Sequence, residues 1–91
     1  MINLETYAKR IGIPISEIKS KSRKTEIVVA RQVYWYFMRI RGYTISEIGR
    51  EFLKNHSTVI HGINKTYASI SVGDRYLKRY LDAIEYKNEQ Q

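Results

Sequence analysis

Two short amphipathic segments, each opened by a helix-capping signal and joined by only two residues, constrain this 91-residue chain more than any other feature. The first is Thr44-Ile45-Ser46-Glu47-Ile48-Gly49-Arg50-Glu51-Phe52. Thr44 and Glu47 fit a capping box ahead of an apolar run, and Ile45, Ile48 and Phe52 form one stripe. Gly49 falls mid-helix, where it costs about 1 kcal/mol relative to Ala; such a cost is accepted where another helix must come close. After Leu53-Lys54 the second segment opens at Asn55. Its side-chain oxygen suits an N-cap, worth about 1 kcal/mol over Ala. Behind it Val59, Ile60, Ile63, Tyr67 and Ile70 recur at helical spacing, within roughly 60° of Ile63. The opposite face carries Ser57, Thr58, His61 and Lys65, which can press on a flat polar partner without a large desolvation cost. The pattern is that of a helix-turn-helix; an ordinary αα-hairpin inside a helical bundle satisfies it too.

Charge separates those alternatives further. There are 16 Lys+Arg against 9 Asp+Glu, a net charge of +7. That is the footprint of a protein that meets a polyanion, most often nucleic acid, or of a basic but inert surface. The excess is uneven. Residues 1–23 carry five basic and two acidic groups, and residues 24–54 six and three, each net +3. Residues 55–73 hold only Lys65, and residues 74–91 are neutral with four of each sign. The cations therefore flank the second segment instead of lying on it, which suits a reader whose phosphate contacts come from other elements.

Length predicts one domain over residues 1–91, with a frayed tail at 87–91. At its start, Leu4, Tyr7 and Ala8 give a short stripe that Asn3 can cap, and Gly12 and Pro14 end it. Ser16-Glu17-Ile18-Lys19 is at most a turn or two of helix, with Ile15 and Ile18 inward. Ser20-Lys21-Ser22-Arg23-Lys24 has three cations and no apolar residue. It is an exposed basic loop: either a solvated linker or a phosphate and minor-groove contact through Lys21, Arg23 and Lys24, an arginine suiting a narrow groove.

The longest helix is expected from Thr25 to Arg41, stopped by Gly42. Ile27, Val28, Ala30, Val33, Tyr34, Phe37, Met38 and Ile40 cover more than one face, so it is the central strut. Arg31, Arg39 and Arg41 mark what it leaves exposed. Tyr34-Trp35-Tyr36-Phe37 suits core packing better than base stacking. A final helix from Asp74 to about Tyr86 has Tyr76, Leu77, Tyr80, Leu81 and Ile84 as its stripe. The fold class predicted is all-α, about five helices with a helix-turn-helix.

Several chemistries find no support. Cysteine is absent, so neither a disulfide framework nor a thiolate metal site is available. His56 and His61 are five apart, about 140° around a helix, and cannot share a metal. No glycine is followed by Lys-Ser or Lys-Thr, so there is no P-loop, and G-x-S-x-G is missing. No nucleophile, base and orienter can be assembled. No catalysis, cofactor or metal is expected. Met1-Ile2-Asn3-Leu4-Glu5 lacks the form of a signal peptide, and no apolar run reaches membrane-spanning length. A cytoplasmic, nucleoid-associated protein without membrane contact is expected.

Ser20-Lys21-Ser22-Arg23-Lys24, Ala30-Arg31-Gln32, Ser46-Glu47-Ile48-Gly49, Phe52 and His56-Ser57-Thr58-Val59-Ile60-His61 stand in an order that resembles the C-terminal DNA-binding domain of bacterial replication initiators, DnaA. The likeness covers roughly residues 2–86. It implies a helix-turn-helix with a basic loop that binds double-stranded DNA at DnaA boxes, in replication initiation or its regulation. It implies that Asn55, His56, Ser57 and Thr58 enter the major groove, that Arg23 reaches the minor groove, and that Arg31, Arg39 and Lys54 lie near phosphates. Ser46 stands where the family commonly has a proline against a thymine methyl. His61 and Lys65, on the outward face, are further phosphate contacts, although His61 can instead pack on the basic loop. The helical wheel disagrees at His56, placing it about 20° from Ile63, toward the core.

The family usually has aspartate at the position of Asn55 and often Gly-Gly at Leu53-Lys54. An amide donates and accepts, which suits adenine, where a carboxylate suits cytosine N4. No nucleotide is expected here, since the ATPase domain of full-length initiators is expected to be missing. The alternatives are a free-standing transcriptional regulator and a helical protein-interaction module with an acidic partner.

Overall fold

A computed structural model describes residues 2–84. They form six α-helices and a 3-10 turn, with no strand among them. The all-α expectation therefore holds, with one helix more than the approximate five. In order they are α1 (Leu4–Ile11), α2 (Ile15–Ile18), α3 (Thr25–Ile40), α4 (Ile45–Phe52), α5 (His56–Ser71), the 3-10 turn Arg75–Leu77 and α6 (Lys78–Ala83).

The helix starts follow local chemistry. Asn3 Oδ1 accepts from the Thr6 N–H at 2.8 Å. Thr44 and Glu47 form the full capping box: the Glu47 N–H donates to Thr44 Oγ1 at 3.1 Å and the Thr44 N–H to Glu47 Oε1 at 2.8 Å. These bonds to Thr44 hold the Glu47 carboxyl below its ordinary range. α1 ends at Gly12, whose φ of 73° is left-handed and open to glycine without strain.

α3 is the strut around which the rest is arranged. Tyr34, Trp35, Tyr36 and Phe37 are all buried, as core packing requires. Trp35 meets Phe52 of α4 edge-on, with ring centroids 5.8 Å apart. Each such ring taken out of water stabilises the fold by about 1.5–3 kcal/mol. The Tyr7 hydroxyl of α1 donates to the Ala30 carbonyl at 2.8 Å, and burial pushes its pKa well up. α6 closes the far side through Tyr80, whose hydroxyl donates to the Glu26 carbonyl at 3.3 Å.

α5 runs back along α3; Val59, Ile63 and Ile70 of the expected stripe pack on the core, but Ile60 and Tyr67 do not. The residues fully buried are Val59, Gly62 and Thr66. Ile60 and Tyr67 are 44% and 61% exposed. The contact is set by small residues. A Cβ on Gly62 would lie 2.7 Å from Trp35 Cε3, so the two helices approach to a distance that only glycine permits. The face is thereby turned away from Ile60 and Tyr67 toward Thr66. Tyr76, expected inward, is 50% exposed, because the chain enters α6 through the 3-10 turn that Asp74 caps at the Tyr76 N–H, 2.9 Å away. The expected helix end at Tyr86 and the tail 87–91 lie outside the described residues.

Candidate nucleic-acid interface

The turn from α4 to α5 is built without slack. Leu53 takes a left-handed conformation, φ 55°, at the end of α4. The Lys54 N–H then returns to the Gly49 carbonyl at 2.9 Å. Gly49 is required by this turn: an added Cβ would stand 2.6 Å from the Lys54 carbonyl oxygen, a backbone atom that cannot move aside. The close approach expected from a mid-helix glycine is real: the backbone of the turn comes nearest, and Val59 of α5 stands behind it at 3.9 Å.

Asn55 opens α5 as its N-cap, with Oδ1 accepting from the Thr58 N–H at 2.8 Å. Asn55, His56, Ser57, Thr58, His61 and Lys65 are all exposed. His56 does not turn toward the core as the helical wheel suggests. It lies in the first turn, beyond the packed part of the helix, with Nε2 3.1 Å from Ser46 Oγ on α4. Ser46, also exposed, thus joins the two helix starts. Arg39 is exposed at the end of α3, where Nη1 donates to the Tyr43 carbonyl at 3.0 Å, just ahead of the α4 cap.

The basic loop is ordered by its own serines. Ser20 Oγ donates to the Glu17 carbonyl at 2.6 Å and accepts from the Ser22 N–H at 3.1 Å. Ser22 Oγ accepts from the Lys24 N–H at 3.2 Å. Such local bonds favour turns over helix. Lys21, Arg23 and Lys24 project into solvent.

Arg31 departs from expectation. It is buried, 6% exposed, and its guanidinium faces the loop instead of solvent. Nε donates to the Ile18 carbonyl at 2.7 Å, and Nη2 to those of Ser20 at 2.9 Å and Ser22 at 3.3 Å. The exposed position expected of Arg31 gives way to a buried one that braces the loop. A planar fork of donors matches a cluster of backbone acceptors, with Nε and Nη2 taken up by three carbonyls. From the other side Lys54 Nζ donates to the same Ser20 carbonyl at 3.2 Å. Lys19 adds a 2.8 Å ion pair with Glu51 of α4. The loop is therefore tied to α3, to α4 and to the α4–α5 turn at once.

The electrostatics follow. Burial lowers the Lys54 pKa, and the neighbouring charges of Arg31 and Lys21 lower it further. Burial also lowers that of Arg31. Lys21, Arg31 and Lys54 thus form a positive cluster between the loop and the start of α5. The bridging role of the Ser20 carbonyl was not legible in the sequence, although the Ser-x-Ser spacing is the signal for the turns that aim it.

The bacterial dnaA protein helix-turn-helix family model matches residues 4–66, well over half of the chain. The chain belongs to this family. The DnaA match spans α1 to the middle of α5 and takes in every candidate residue from Lys21 to Lys65. It is a match to a helix-turn-helix, not to a catalytic domain.

Among curated relatives, the chromosomal replication initiator protein DnaA of Kosmotoga olearia is 39% identical over 82 residues, covering 89% of this chain and 18% of its own. That of Pseudothermotoga lettingae is 34% identical over the same shares. That of Streptococcus mutans is 36% identical over 93 residues, covering 96% of this chain and 20% of its own. The chain spans about a fifth of the length of the DnaA relatives it matches. No solved structure matches it. Among the described residues no group of three His, Cys, Asp or Glu side chains could hold a metal, and no helix is long and apolar enough to cross a membrane.

Proposed function

We propose that the chain binds double-stranded DNA at DnaA-box-like sites and acts in replication initiation or its regulation. The start of α5 enters the major groove, where Asn55, His56, Ser57 and Thr58 meet base edges and Ser46 lies alongside them. Arg23 reaches into the adjacent minor groove. Lys21, Lys24, Arg39, Lys54, His61 and Lys65 meet phosphates on either side. The division follows the usual one, in which phosphate contacts position and base contacts specify.

The observation that carries this reading is the pair of bonds on the Ser20 carbonyl, from Arg31 at 2.9 Å and Lys54 at 3.2 Å. They tie the loop bearing Arg23 to the turn that starts α5, so a minor-groove reader and a major-groove reader share one rigid base. An inert basic surface or a solvated linker needs no such tie. Family membership supports the same function.

Selection of bound duplexes from a random pool, followed by a salt titration on the selected site, tests the proposal. Five lysine and arginine phosphate contacts give a loss of about 500-fold in affinity between 50 and 200 mM salt. A selected site that survives competitor DNA is expected. Absence of duplex binding, or binding without preference, overturns the proposal.

A further inference from the structure

The N-cap of α5 decides what Asn55 can offer to a base. A side-chain amide has an oxygen that accepts and a nitrogen that donates. The Thr58 N–H can only donate, so the atom 2.8 Å from it is the oxygen. The amide is thereby oriented, and its nitrogen is the end left over. Asn55 is exposed, and Nδ2 has no partner among the described residues. The first turn of α5 contains no acidic residue that could accept in its place.

We infer that Asn55 is a specificity-determining residue that reads a keto oxygen, guanine O6 or thymine O4, in the major groove. The inference rests on the proposed duplex binding and sharpens it. Bidentate pairing with adenine needs the amide oxygen and nitrogen side by side on the base edge. Here one lone pair of the oxygen is committed to the Thr58 N–H, which turns the oxygen to the helix and leaves the nitrogen as the end with no partner. Cytosine offers a donor, N4, at this edge and is disfavoured. Adenine offers N7 alone, whereas guanine offers N7 and O6 together. The expectation that an amide suits adenine is thus replaced by one fixed by the cap.

Asn55→Asp is nearly isosteric, keeps a capping oxygen and puts a second acceptor where Nδ2 stood. Asn55→Ser keeps the cap and removes the outward group. Random-pool selection with all three proteins locates the pair at which their preferences diverge. The expected change from wild type to Asn55→Asp is a transition at that pair, T·A to C·G or G·C to A·T, because a transition exchanges acceptor for donor at one place in the groove. Asn55→Ser should lose preference there and elsewhere keep the selected site.

Base analogues then settle the strand. Removing the keto oxygen of that pair should weaken the wild type about twofold to tenfold, the scale of one neutral hydrogen bond, and leave Asn55→Asp unaffected. Removing the exocyclic amino group should do the reverse. A transversion such as A·T to C·G, an unchanged site in Asn55→Asp, or sensitivity of the wild type to the amino group overturns the inference while leaving duplex binding intact. Loss of duplex binding by the wild type would instead overturn the function on which it rests.

Discussion

Arg31 and Lys54, from α3 and from the turn before α5, donate to one carbonyl oxygen, that of Ser20, at 2.9 and 3.2 Å. The two cations share an acceptor at the start of the chain's most basic loop. Burial first and then repulsion from Arg31 lower the Lys54 pKa, and the backbone carbonyl supplies a partial negative charge between the two cations. Elsewhere in the loop Lys21, Arg23 and Lys24 remain in solvent.

Replacing Arg31 with methionine keeps much of the volume and removes every donor. The carbonyls of Ile18 and Ser22 lose their Arg31 bonds, and that of Ser20 keeps Lys54 alone. A loss of about 1–3 kcal/mol is expected from unsatisfied buried acceptors. Urea denaturation reads it directly. A change under about 0.5 kcal/mol would show that the serine turns and Lys54 suffice.

Gly62→Ala pits two effects against each other. Alanine is about 1 kcal/mol better in a helix interior. Overpacking a buried ring costs about 1–3 kcal/mol, and the Trp35 ring that the new Cβ would meet at 2.7 Å is 2% exposed and hemmed in. Gln32 Cγ, at 2.9 Å, can swing away; the indole cannot. The expected result is a net loss of stability, seen as a lower denaturation midpoint.

Leu53→Gly should have the opposite sign. Leu53 is 90% exposed, so little packing is lost, and its φ of 55° is one that a side chain resists. Relief of about 1–2 kcal/mol of left-handed strain is offset in part by glycine's greater unfolded-state entropy. A gain of about 0.5–1 kcal/mol is expected in the same assay. A loss would reveal packing by Leu53 that its exposure does not show.

Arg23→Ala should weaken binding most on sites with a narrow A·T minor groove, where negative potential is enhanced. Lys24→Ala should weaken all sequences alike and make the salt dependence shallower. Equal losses on every sequence for Arg23→Ala would make it a phosphate contact only.

The tyrosines set the alkaline limit. Burial pushes the Tyr34 pKa from 10 up to about 12, helped by Tyr43 and Glu51. The unfolded chain therefore releases this proton first. The contribution is whole below pH 10 and is lost as pH rises through about 12. Tyr34→Phe should flatten the fall in stability over that interval in a pH series of denaturation curves. Tyr7 and Tyr80, also raised, will keep some slope.

Features that depend on a few neighbouring residues were legible before any coordinates. The Asn3 and Asn55 caps, the Thr44–Glu47 box and the Gly12 stop each involve atoms within four residues of one another, so local spacing specifies them. The outward set Ser57, Thr58, His61 and Lys65 was legible because polar residues are rarely buried without partners.

Arg31 was not legible, because its burial depends on carbonyls 9 to 13 residues earlier in a loop with no periodic signal. The packed face of α5 was legible in part: Val59, Ile63 and Ile70 pack on the core as the stripe predicts, and the remainder was missed for a different reason. Apolar periodicity weights large side chains, and here the contact is made by Gly62 and Thr66, whose smallness brings α3 close. Ile60 and Tyr67 completed a plausible stripe and yet remain exposed.

The seat of Gly62 against Trp35 has an optical consequence. This chain has one tryptophan, and it lies under the helix that carries the polar tip. Any tilt, lift or rotation of α5 must alter the surroundings of that single indole. Its native emission is therefore a built-in, label-free gauge of whether a ligand reseats the helix or meets it as it stands.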